Sequence, residues 1–113
     1  MEKIAIIDCG TNTFHLMIVS VDGNDYSIET KFKYPVKIGE GGIENKVITE
    51  AAQKRALNAL IFFKEQITEY SVTTIKATAT SAFRNAVNGI EFRDLAFEET
   101  GIYIEIIHGD REA

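Results

Sequence analysis

Cysteine, positive charge and long apolar runs are all scarce in this 113-residue chain, and each scarcity excludes a class of protein. A lone cysteine, Cys9, cannot close an intrachain disulfide, which leaves the fold to a buried core. Lysine and arginine number 12 against 17 aspartate and glutamate, a formal net charge of −5. That balance argues against broad binding to a nucleic-acid polymer or an anionic membrane. Only local clusters such as Lys31, Lys33 and Lys37 remain to form a basic patch or solvated strand edges. No apolar run approaches the roughly 20 residues that cross a bilayer, and the first residues lack the basic segment and hydrophobic core of a signal peptide. The expected location is the cytoplasm. Internal repeats, low-complexity tracts and linkers are also missing. What is there, 45% hydrophobic and 26% charged residues, suits an ordinary soluble globular protein, one domain or a piece of one.

Lys3 to Asp8 reads as a buried strand, because Ile4, Ala5, Ile6 and Ile7 are continuously apolar. Phe14 to Val21 and Tyr26 to Tyr34 read as two more strands. Between them Val21-Asp22-Gly23-Asn24-Asp25 predicts a hairpin in which Gly and Asn supply positive φ values. After the one proline, Pro35, Gly39-Glu40-Gly41-Gly42 predicts a flexible loop. Thr49 is then expected as a helix N-cap with Glu50 in the first turn. Ala56, Leu60, Phe63, Ile67 and Tyr70 step by three and four residues along one face of that helix, which must cover the sheet. Val72 to Thr78 predicts a fourth strand. A shorter helix is expected from near Thr80 or Ser81 to a stop at Asn88-Gly89, and a further helix from Ile90 to Thr100, ended by Gly101. Ile102 to Ile107 completes the pattern as a fifth strand. The order βββαβααβ implies an α/β fold with a five-stranded mixed sheet, an antiparallel meander beside parallel strands joined by crossovers. Asp110-Arg111-Glu112-Ala113 follows the last strand where a crossover helix is expected, so the chain reads as truncated before that helix.

Ligands of open α/β sheets gather beyond the carboxyl ends of parallel strands, where loop amides and helix N-termini converge. Three polar stretches fall at such ends: Asp8 to Thr13, Thr78 to Arg84, and Gly109 to Glu112. In the first, Gly10 permits a tight turn, and Thr11, Asn12 and Thr13 offer donors that suit phosphate oxygens. Asp8 offers an acceptor that suits hydrated Mg²⁺. The same residues also fit a plain hairpin turn whose Asp and Asn bond their own backbone. In the second stretch Thr80 or Ser81 caps a helix, and Thr80, Arg84 and Asn88, spaced by four, share one helical face. From there Arg84 can present a bidentate fork to a phosphate; pairing of Arg84 with a surface carboxylate, with Asn88 ending the helix, is the plainer alternative. In the third, Glu112 is either a general base acting on water or a solvated helix-start glutamate. Cys9 reads as a small buried filler and Phe62 and Phe63 as helix packing, and His15 and His108 make no metal pair on spacing.

Asp8-Cys9-Gly10-Thr11-Asn12-Thr13 resembles the first phosphate motif, D-x-G-[ST]-N-[ST], of the exopolyphosphatase and guanosine pentaphosphate phosphohydrolase family, within the actin-like ATPase and sugar kinase superfamily. The run ATSAFRNAVNG, from Ala79 to Gly89, is similar to that family's A-T-S-A-x-R-x-A-x-N-G signature. Val36 to Gly41 is similar to its loop after the third strand. Gly109-Asp110-Arg111-Glu112-Ala113 is similar to its G-x-E-E-A segment, with Arg111 in place of the commoner glutamate. The resemblance implies that residues 1–113 are the N-terminal part of a ribonuclease H-like, actin-like ATPase domain, with the second phosphate loop and second lobe absent. It implies hydrolysis of a terminal phosphoanhydride of inorganic polyphosphate or guanosine pentaphosphate, with Mg²⁺ as cofactor and Glu112 as catalytic base. Gly10, Thr11, Asn12, Thr13, Thr80, Ser81, Arg84 and Asn88 are implied at the phosphates and Asp8 at the metal.

On this reading the fragment by itself has little or no activity, and homodimerisation of the full-length protein stays open. An actin-like ATPase or sugar kinase is a competing reading, against which the Ala79 to Gly89 run argues. A regulatory module that binds a phosphorylated nucleotide without hydrolysing it is another; Glu112 is replaceable there and Arg84 is not. A ribonuclease H-like nuclease fits the fold but not the acidic balance.

Overall fold

The computed structural model describes residues 2–38, 47–79, 83 and 86–107. Three strands open it: β1 (Glu2–Cys9), β2 (Thr13–Asp22) and β3 (Asp25–Pro35). β1 and β2 pair antiparallel from Glu2↔Val21 to Cys9↔Phe14, and the β2–β3 hairpin closes on Asp22↔Asp25. Its turn puts left-handed backbone at Gly23, φ 65°, and not at Asn24. Gly at the first central position alone needs that φ in a type II′ turn, and only glycine adopts it without a steric cost.

Helix α1 (Glu50–Glu69) begins as its sequence predicts, with Thr49 Oγ1 accepting the Ala52 N–H at 3.1 Å. This cap satisfies one of the donors that a helix start leaves over. Its buried face is Ala52, Ala56, Ala59, Leu60, Phe63 and Ile67, and Tyr70 closes the helix half-buried. The small alanines let the helix backbone approach the sheet, while Leu60 and Phe63 fill the space between, each worth roughly 1.5–3 kcal/mol on full burial. β4 (Thr74–Ala79) then runs parallel to β1, β5 (Ile104–Ile106) runs parallel to β4, and the sheet order is β3-β2-β1-β4-β5. The expected mixed five-stranded α/β sheet is what forms.

Helix α2 (Gly89–Thr100) ends where its glycine predicts, at Gly101 with φ 77°, whose N–H donates to the Phe97 carbonyl at 2.8 Å. Its start departs from expectation: Asn88-Gly89, expected as a helix stop, is where α2 begins. The shorter helix expected from Thr80 or Ser81, and the Gly39 to Gly42 loop, lie mostly or wholly outside the described residues.

β1 is also less enclosed than its apolar run suggests. Ala5, Ile7 and Cys9 are buried, whereas Ile6 is 37% exposed and Asp8 is exposed. Among the described residues both helices pack on the face that carries Ala5, Ile7, Leu16, Ala77 and Ile104, in one continuous core. The opposite face therefore keeps the alternation of a one-sided sheet.

Candidate active site

Register brings the three parallel strands to a common edge. Asp8 pairs with Thr78 and Cys9 with Ala79, Ala79 pairs with Ile106, and the Ile107 N–H donates to the Ala79 carbonyl at 2.9 Å. The chain thus leaves β1, β4 and β5 side by side, and the polar stretches that follow each strand start from one line. Side-chain alternation decides what faces where. Cys9 points into the core, where burial and then the charge of Asp8 push its thiol pKa far up, so it stays protonated and acts as filler. Asp8 emerges on the open face in a cross-strand row, Lys33, His15, Asp8, Thr78 and Glu105, set by the pairings His15↔Lys33, Asp8↔His15 and Thr78↔Glu105.

The loop from β1 to β2 is held from its main chain. The Asn12 carbonyl accepts N–H bonds from Val36 at 2.9 Å and Lys37 at 3.0 Å, and the Thr11 carbonyl accepts from Ile38 at 2.8 Å. A Cβ on Gly10 would sit 3.0 Å from the Thr13 carbonyl oxygen, a tight contact that a larger residue meets only if the loop gives by a few tenths of an ångström. With its carbonyls turned to residues 36–38, the loop leaves the Asn12 side chain exposed and those of Thr11 and Thr13 half-buried. Such a loop can meet an anion with hydroxyl and amide donors. Phe14, the next residue, packs its ring 6.0 Å from that of Phe83, and Phe83 lies 5.6 Å from Phe92 of α2, so the loop and the signature run share an aromatic base.

Asn88 is placed differently. Its Oδ1 accepts the Ile48 N–H at 2.9 Å and its Nδ2 donates to the Ile48 carbonyl at 3.0 Å, so the amide grips one peptide unit at both ends. Next to it, a Cβ on Gly89 would overlap the carbonyl oxygen of Phe83, so close approach rather than a left-handed turn requires this glycine. Thr80, Ser81, Arg84 and Glu112 lie outside the described residues, as does His108. Sequence reasoning missed Arg55, whose Nε donates to the Val36 carbonyl at 2.7 Å and whose Nη2 donates to that of Lys37 at 3.0 Å. The one hint of it is a long cation flanking the apolar face between Ala52 and Ala56.

No cluster of three or more His, Cys, Asp or Glu side chains fit to hold a metal occurs among the described residues. Mg²⁺ needs less: it keeps several waters and takes one or two carboxylates beside substrate phosphates. An exposed carboxylate beside a donor-rich loop, as at Asp8, fits that requirement.

A five-stranded mixed sheet in the order β3-β2-β1-β4-β5, with its three parallel strands ending at one edge, matches proteins of the actin-like ATPase fold closely. The chain belongs to the Ppx/GppA phosphatase family, whose model matches residues 17–113. A Haemophilus influenzae protein provisionally named an exopolyphosphatase is 32% identical over 113 residues, 100% of this chain and 35% of that protein. The crystal structure of an exopolyphosphatase from Cytophaga hutchinsonii superposes with a TM-score of 0.94 at 39% identity, covering 98% of this chain and 36% of the other. That of the Aquifex aeolicus Ppx/GppA family member gives 0.92 at 28% identity, with 98% and 36% covered. The chain therefore spans about 35% of the length of the relative from Haemophilus influenzae. No helix among the described residues is long and apolar enough to cross a membrane.

Proposed function

We propose that the full-length protein hydrolyses the terminal phosphoanhydride of inorganic polyphosphate, with guanosine pentaphosphate as the alternative substrate, in the cytoplasm and with Mg²⁺. The observation that carries this reading is the common edge, where β1, β4 and β5 end abreast through Asp8↔Thr78 and Ala79↔Ile106. Family membership and the exopolyphosphatase names of two relatives support it. In this reading Thr11, Asn12 and Thr13, with Thr80, Ser81 and Arg84, bind phosphate oxygens, and Gly10 lets the backbone come close. Asn88, whose amide is engaged at Ile48, serves the site by fixing the start of α2. Glu112 takes the proton of the attacking water. Mg²⁺, held at Asp8, supplies charge neutralisation on the phosphates. Phosphoryl transfer depends mainly on positioning and charge, the two things a braced, donor-rich loop provides.

Phosphate release from long-chain polyphosphate and from guanosine pentaphosphate, with Mg²⁺, tests the reading in the full-length protein beside Glu112→Gln. Expected is a loss of about 100-fold or more in turnover with binding retained. A parent that binds either compound without hydrolysing it is instead a binding module, and an equally fast variant removes Glu112 from the chemistry.

A further inference from the structure

We propose that Arg55 is a positioning residue for the phosphate loop: from α1 it fixes the 36–38 segment, and that segment fixes the loop from Gly10 to Thr13. Hydrogen bonds run without a break along this path. The Arg55 guanidinium donates to the carbonyls of Val36 and Lys37, the N–H groups of Val36 and Lys37 donate to the Asn12 carbonyl, and that of Ile38 donates to the Thr11 carbonyl. Each peptide of the segment thus faces the loop on one side, and two of them face α1 on the other.

The segment also needs an external hold. Lys37 has φ 49°, the left-handed region that costs a residue with a Cβ roughly 1–2 kcal/mol. Val36 and Ile38, 0% and 3% exposed, are pinned in the core on either side of it. Hydrogen bonds from a charged donor are among the stronger ones, and the planar guanidinium suits two neighbouring carbonyls as an ammonium does not. Because α1 is anchored by six buried side chains, Arg55 transmits the position of the core to a loop that has no core residue between Gly10 and Thr13.

The functional half of this inference rests on the phosphohydrolase reading; the anchoring half does not, and the test separates them. In the full-length protein, Arg55→Met and Arg55→Lys are compared with wild type by amide hydrogen exchange and by KM and kcat for polyphosphate. In Arg55→Met the amides of Val36, Lys37 and Ile38 are expected to exchange about 10-fold faster or more while those of β1 and β4 keep their wild-type rates. KM is expected to rise by a similar factor, with kcat changed less. Arg55→Lys, which keeps the charge but lacks the planar fork, restores part of both, and it carries the test if the Met variant does not fold. Unchanged exchange at residues 36–38, acceleration spread evenly through β1 and β4, or fast exchange with an unchanged KM overturns the inference. If wild type hydrolyses neither compound, the phosphohydrolase reading fails and exchange alone decides the anchoring.

Discussion

The Gly10 to Thr13 loop and the Asn88-Gly89 corner are both parts of polar motifs, and they deploy their polar atoms in opposite ways. The loop is gripped by its main chain, through the Thr11 and Asn12 carbonyls, and keeps the Asn12 side chain in solvent. The corner is gripped by a side chain, since both ends of the Asn88 amide are committed to Ile48, a residue 40 positions earlier. Both ends of the Asn88 amide are thus engaged within the protein, whereas the Asn12 side chain is left exposed. A segment held by its backbone is expected to keep its side chains for a ligand, and one held by a side chain to act first as support.

If that contrast holds, changes at the corner act on stability first and changes in the loop act on chemistry first. The largest loss of stability is expected at Gly89→Ala, because the added methyl meets main chain and not a movable side-chain tip. Overpacking of this kind costs about 1–3 kcal/mol, and backbone contact puts this case at the upper end. Urea unfolding of the full-length protein reads it directly. A variant as stable as wild type would mean that the corner relaxes and is no fixed support.

Asn88→Ala comes next, at about 1–2 kcal/mol, since it strips the partner from the Ile48 N–H and removes one of the two donors to the Ile48 carbonyl among the described residues. Gln53 Nε2 also donates to that carbonyl, at 3.0 Å, so the loss is not complete. Asn88→Asp sharpens the test. It keeps an acceptor for the N–H but sets a carboxylate against the carbonyl, and it should recover no more than part of the loss. Full activity with lowered stability in Asn88→Ala would confirm support, whereas lost phosphate affinity at unchanged stability would return Asn88 to the ligands.

How much of this could be seen in the sequence follows from how local each cause is. Thr49 and Gly101 mark helix ends through bonds to residues three and four positions away, and the stepping of Ala56, Leu60, Phe63 and Ile67 marks the face of α1; these were legible. The mixed sheet, a meander whose first strand neighbours the parallel strands, followed from the hairpin and the crossovers, and with it the common edge where β1, β4 and β5 end. Asn88-Gly89 misled as a stop because asparagine and glycine also favour the start of a helix, and only the proximity of Phe83 and Ile48 distinguishes the two uses. Arg55 was illegible for a similar reason. Its acceptors are main-chain carbonyls 18 and 19 residues away, and every residue offers a carbonyl. The one-sided burial of β1 was hidden too, since an apolar run states what a strand tolerates and not which of its faces a helix covers.

The smallest change in stability, and the sharpest contrast with the corner, belongs to Asn12→Ala. The contacts that hold residue 12 run through its carbonyl, which alanine keeps, and the side chain it loses is exposed. Exposed substitutions of this kind usually fall within about 0.5 kcal/mol, so the unfolding midpoint should barely move. Activity should move far more. A hydrogen bond to a charged group contributes roughly 1.5–3 kcal/mol, so loss of an amide donor to phosphate predicts about a 10- to 100-fold drop in kcat/KM for polyphosphate. Stable and slow is then the signature of a loop held by its backbone for the use of its side chains. Stable and fully active would leave the loop as a well-braced turn, with the Asn12 side chain no ligand.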